Sequence, residues 1–82
     1  MAFSEEENTK IRRSLLAEAR SRALTVGMRK TSVEELTAAV GISKGSFYKY
    51  FDSKELLFFA VLEELHSELY AVAKDALMAN SS

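Results

Sequence analysis

The segment Ser43-Lys44-Gly45-Ser46-Phe47-Tyr48-Lys49-Tyr50-Phe51 holds the densest group of side chains that can act on another molecule. In a helix, Phe47 and Phe51 stand four apart and share a face that can bury inward. The other face then carries Lys44, Gly45, Ser46, Tyr48 and Lys49, an array of ammonium, hydroxyl and phenol groups of the kind that bonds phosphates and base edges. Gly45 admits two readings. A glycine inside a helix costs up to about 1 kcal/mol relative to alanine, which points to close backbone approach by another molecule; the second position of a helix also tolerates glycine. Tyr48 and Tyr50 are either outward contacts or half-buried aromatics with wet tips, and Tyr48 is expected to face outward.

Catalysis finds no such grouping. Arg29-Lys30-Thr31 ends like a phosphate-binding loop but lacks the preceding Gly-x-x-x-x-Gly spacing. The chain has no Cys and a single His, His66, so thiolate sites, His clusters and disulfides are all excluded. The expectation is a protein that is not an enzyme and that needs no metal and no cofactor.

Helix signals surround the segment. Apolar residues Ile11, Leu15, Ala19, Ala23 and Met28, with Leu16 and Leu24 alongside, recur at helical spacing and predict a first helix over about 5–26, ended by Gly27. Glu6 with Lys10 and Glu18 with Arg22 are i, i+4 pairs that support its outer face. A second helix opens at Thr31 or Ser32, because Thr31-x-x-Glu34 and Ser32-x-x-Glu35 both fit the capping box, and Gly41 closes it. Ile42 then separates that glycine from Ser43, the N-cap of a short third helix over about 44–50. A fourth starts at Asp52 or Ser53, with Asp52 and Glu55 as a capping box and Phe51 stapled on Leu56, and runs to about 79. Its ~26 residues would span roughly 40 Å, further than three short helices can cover. Fraying is expected over Asn80-Ser81-Ser82.

Two short helices joined through Gly41-Ile42-Ser43 make a helix-turn-helix with Ile42 as the plug between them, although an ordinary αα-corner has the same spacing. Charge supports a polyanion partner. Residues 1–8 form an acidic arm of −3; residues 9–54 hold ten bases against four acids, a net of +6; residues 55–82 carry −4. The basic middle attracts a polyanion although the whole chain has a net charge of −1.

Eighty-two residues without Pro and with three Gly make one all-α domain: a three-helix bundle with a homeodomain-like helix-turn-helix, plus a long fourth helix. The acids at Glu5, Glu6 and Glu7 are unlike a signal peptide, and no apolar run approaches the ~18 residues that span a bilayer. The expectation is a cytoplasmic protein with no membrane contact.

These residues resemble the tetracycline-repressor (TetR) family of bacterial transcription regulators. The resemblance rests on Thr31-Ser32-Val33-Glu34-Glu35-Leu36-Thr37, Val40-Gly41-Ile42-Ser43, Gly45-Ser46-Phe47-Tyr48 and Tyr50-Phe51-Asp52-Ser53-Lys54-Glu55-Leu56-Leu57, and covers about residues 10–62. It implies sequence-specific binding to a double-stranded DNA operator by a repressor whose third helix enters the major groove. Thr31, Ser32, Tyr48, Tyr50 and Lys54 fall where family members hold phosphates. Lys44, Ser46 and Lys49 fall where recognition side chains face the groove, and Ser43 is both cap and phosphate ligand. Two residues depart from the pattern: Thr37 replaces a small apolar residue behind helix three, and Glu34 stands where many relatives are basic or neutral. The resemblance divides the chain into an acidic arm (1–8), a DNA-binding domain (9–54) and a connecting helix (55–82). In relatives that helix leads into an effector-binding and dimerisation domain. A homodimer is implied for the full-length form, and weak or no dimer for these 82 residues.

A helical protein-interaction module is the alternative. Phe58, Leu62, Leu65, Leu69, Val72 and Ala76 form a stripe along helix four that is either core packing or a docking face.

Overall fold

Every helix of this protein begins at a serine. In the computed structural model, which describes residues 4–80, four helices follow in order: α1 (Glu5–Thr25), α2 (Val33–Val40), α3 (Lys44–Tyr50) and α4 (Lys54–Asn80). The preceding hydroxyls of Ser4, Ser32, Ser43 and Ser53 each accept a hydrogen bond from the backbone N–H three residues on, at 3.1–3.2 Å. Each bond satisfies one of the donors that a helix leaves unpaired at its start. At Ser4 and Ser32 the reciprocal bond, donated by the serine backbone N–H to the Glu7 or Glu35 carboxylate, completes a capping box. Of the two overlapping boxes expected for α2, the Ser32–Glu35 pair is therefore the one that forms. At α4 the cap is Ser53 and not Asp52, so the expected Asp52–Glu55 box is absent. Leu56 stays half exposed instead of stapling Phe51, and Leu57 turns inward.

Glycines mark the ends as the spacing predicts. Gly27 (φ +90°) follows α1, and Gly41 (φ +86°) caps α2 in the left-handed conformation, where a side chain would be strained. Both Gly41 and Ile42 donate to the Thr37 carbonyl, at 2.8 and 3.0 Å, which folds the chain tightly into α3.

Leu15, Leu16 and Ala19 of α1, Leu36 of α2, Phe47 of α3, Phe51, and Leu57, Phe58 and Val61 of α4 form the core. Each large side chain so buried contributes about 1.5–3 kcal/mol before entropy is counted. The expected apolar face of α1 is shorter than its sequence period: Ala23, Leu24 and Met28 are exposed. Beyond Ala19 polar links replace apolar packing, because Arg22 bonds both Glu18 and Glu35 at 2.9 Å and so ties α1 to α2. Glu6 and Lys10 form no ion pair. The boundary expected at residue 54 is crossed by the core, since the first turns of α4 complete it. Glu5, Glu6 and Glu7 lie in the first turn of α1, where carboxylates suit the helix dipole, and not in a separate arm. Residues 1–3 of that arm and Ser81-Ser82, over which fraying is expected, fall outside the described residues; Asn80 belongs to α4.

Past Leu65 every described residue of α4 is exposed, and an ion pair from Arg20 reaches Glu68 there. The radius of gyration is 15.6 Å, against about 12 Å for a compact domain of this length. No helix among the described residues is long and apolar enough to cross a membrane.

Candidate nucleic-acid interface

α3 is anchored by Phe47 and, at its end, by Tyr50, and presents its other face. Phe47 is fully buried, with its ring 6.2 Å from Phe51 and edge-on to Tyr48 at 5.2 Å. Gly45 and Lys49, about half a helical turn away, are exposed, as are Ser43 and Lys44, with Ser46 half-buried beside them. Tyr48 faces outward as expected, 46% exposed, and its hydroxyl makes no hydrogen bond among the described residues. At Gly45 an added Cβ would meet nothing closer than the Ser43 Oγ at 3.9 Å, so no contact within the protein demands a glycine.

The side chains expected at phosphates divide. Thr31 is 1% exposed, and its hydroxyl donates to the Gly27 carbonyl at 2.9 Å. It is a buried brace of the α1–α2 turn with no free surface for a phosphate, which corrects the expectation. The Ser32 hydroxyl is engaged in the α2 capping box. Tyr50 is half-buried against the core and its hydroxyl donates to Asn8 Oδ1 at 2.7 Å, pinning the end of α3 to the start of α1. The Ser43 hydroxyl accepts from the Ser46 N–H and donates to the Ser46 Oγ. Tyr48 and Lys54 keep their polar ends unpaired, Lys54 at the first turn of α4.

Lys44 is not free. Its ammonium donates to Glu34 Oε2 at 2.7 Å, joining the first turn of α3 to the first turn of α2. The bond from Lys44 holds the Glu34 carboxyl below the usual carboxylate range, and the same bond raises Lys44. Of the ten bases in the central block, Arg20 pairs with Glu68 at 2.6 Å and Arg22 with Glu18 and Glu35. Lys10, Arg12, Arg13, Arg29, Lys30, Lys49 and Lys54 make no ion pair among the described residues, so the block keeps a strong positive field. Arg12 lies over the Phe51 ring at 4.9 Å, a cation–π contact that also holds the α3–α4 corner.

Sequence reasoning missed the Asn8–Tyr50 bond and Arg12 over Phe51, which join residues about forty positions apart and leave no periodic trace. The Glu34–Lys44 pair had a faint signal, opposite charges at the starts of two helices across a tight turn. No described cluster of His, Asp or Glu is placed to hold a metal ion.

Comparison with known proteins agrees with this geometry. The family model described as bacterial regulatory proteins, tetR family, matches residues 15–61, from the α1 core residues to the last core residue of α4. The chain is similar to the nucleoid occlusion factor SlmA of Mannheimia succiniciproducens, 32% identical with 82% of this chain and 35% of the relative covered. It is also similar to the HTH-type transcriptional repressor DhaR of Mycobacterium sp. strain GP1, 35% identical over 84% of this chain and 35% of the relative. A shorter match, 42% identical over 52% of this chain and 21% of the relative, is to SlmA of Haemophilus ducreyi. The chain thus spans about a third or less of the length of these curated relatives, and no solved structure matches it. With a helix-turn-helix in place and the family model covering more than half of its residues, the chain belongs to the tetR family of bacterial regulatory proteins.

Proposed function

We propose that this chain binds double-stranded operator DNA as the reading head of a cytoplasmic transcriptional repressor, with α3 in the major groove. The observation that carries the reading is that α3 packs inward through Phe47 and Tyr50, which leaves Lys44, Gly45, Tyr48 and Lys49 exposed and Ser46 half-buried on its other face. A convex helix bearing short polar and cationic groups suits a groove about 12 Å wide. Tyr48 and Lys54 hold phosphates; Lys44, Ser46 and Lys49 reach base edges; the N-terminal turn of α3, capped by Ser43, lies beside the backbone. Ser32 and Tyr50 serve chiefly to fix the two helix ends that flank the groove. Two such heads in a homodimer would read two half-sites.

Salt dependence tests this. If four to six phosphates are contacted per half-site, log K for a mixed-sequence duplex falls with log salt at a slope of about −4 to −5. Affinity indifferent to salt rejects it.

The exposed far half of α4 favours a second, compatible reading, a helical protein-interaction surface. Leu62 is 61% and Leu69 69% exposed, unusual for side chains of that size without a partner.

A further inference from the structure

Glu34 lies on the first turn of α2, the helix that precedes α3, and pairs with Lys44 on the face read above as the DNA contact. A carboxylate there is unfavourable for polyanion binding unless it does something else. Its carboxylate takes one of the three donors of the Lys44 ammonium at 2.7 Å, and both side chains are otherwise more than half exposed. We propose that Glu34 is the positioning residue that makes Lys44 a reader of bases instead of phosphates, by fixing its ammonium and cancelling its charge. This rests on the DNA-binding reading above.

A lysine that neutralises a phosphate releases the counterion condensed there, and that release is the source of sequence-independent affinity. Paired with Glu34, Lys44 has two routes. If the pair stays closed, no phosphate is neutralised by Lys44. If it opens, the phosphate releases one cation while the abandoned carboxylate takes one up. The net release is zero in both cases, so Lys44 adds nothing to indiscriminate binding. Two of its N–H donors still point away from Glu34, enough for the O6 and N7 acceptors of a guanine. Both partners keep their charges at neutral pH, because each holds the other in its ionised form.

The test is a salt titration of binding to a mixed-sequence duplex by the wild-type chain, Glu34→Gln, and the double variant Glu34→Gln with Lys44→Met, alongside selection from a randomised duplex pool. Glu34→Gln frees the ammonium, so its log–log slope should steepen by about one, its affinity for random duplex rise roughly tenfold at 0.1 M salt, and its base preferences flatten. The double variant replaces the pair by neutral groups and should return to the wild-type slope, which a mere loss of helix stability in Glu34→Gln would not produce. Salt-dependent binding by all three with one shared slope overturns the role of Glu34 and leaves DNA binding standing. Absence of salt-dependent binding in all three overturns both.

Discussion

Lys54 and the α3 side chains differ in what they can reach. On the DNA-binding reading, Lys54 at the mouth of α4 would meet only sugar and phosphate, whereas Lys44 and Ser46 at the start of α3 would reach base edges. Lys54→Ala should therefore weaken binding to all duplexes alike, while Ser46→Ala, or Lys44→Ala in a Glu34→Gln background that leaves no unpaired carboxylate, should change the ranking of sequences by ~1–3 kcal/mol at one position. Binding measured across a panel of single-base variants separates these outcomes; uniform losses for Lys44 and Ser46 contradict the assignment. Gly45 gives a sharper contrast. With nothing nearer to an added Cβ than the Ser43 Oγ at 3.9 Å, Gly45→Ala should stabilise the fold by up to about 1 kcal/mol while weakening duplex binding, since on the DNA-binding reading the added methyl would meet the DNA backbone. A stabilised variant that binds as well as wild type would mean that the second-position reading of this glycine is the right one. Thr31→Val, in turn, should cost about 1 kcal/mol of stability by orphaning the Gly27 carbonyl, with the salt slope of binding unchanged. Much of the α3 face was legible in the sequence because exposure there follows from the single period set by Phe47 and Phe51. Thr31 was not, because its burial depends on a turn closed by Gly27, which no local pattern reveals.

Helix boundaries were the most legible feature of the elements, since caps are local chemistry: Ser32, Ser43 and Gly41 do what their neighbours require. What local chemistry could not set was how far each apolar face stays covered. Leu24 continues the α1 period yet lies in solvent, because α2 meets α1 through Arg22 and Glu35 and leaves nothing apolar to cover the last turn. The same glutamate gives the α1–α2 junction a pH dependence. Bonds from the Ser32 backbone and hydroxyl, then from Arg22, lower the Glu35 carboxyl in the folded chain. A group lowered on folding stabilises the fold above its unfolded pKa, and that contribution vanishes as the pH falls through the carboxylate range. Melting temperature should accordingly drop on acidification, and Ser32→Ala should both cost ~1 kcal/mol at neutral pH and make the acid-induced drop shallower. Equal acid sensitivity in the two proteins would show that the capping box does not carry this pH dependence.

For the molecule as a whole, the decisive feature is that α4 outruns its support. Its inner row, Leu57, Phe58, Val61 and Leu65, packs on the bundle; Arg20 to Glu68 adds a tie further along, between two side chains on the surface. The stripe predicted from the sequence therefore splits: Phe58 and Leu65 join the core, whereas Leu62, Leu69, Val72 and Ala76 do not. Beyond that tie the segment is too short to be a stable helix in water by propensity alone, because isolated helices below about 12–15 residues are marginal. It exposes Leu69 and Val72 along the stripe that Leu62 begins, which favours a second copy of the chain laid along that face. In dilute solution the amides of residues 69–80 should exchange with solvent far faster than those of Leu57–Val61. As concentration rises from micromolar to millimolar, sedimentation should report self-association, and protection of residues 69–80 should rise with it. Leu69→Lys, which places a charge in that face without touching the core, should abolish both changes together. Early protection of residues 69–80 in a strictly monomeric chain would overturn this, since it would require the far half of α4 to be held by its own residues.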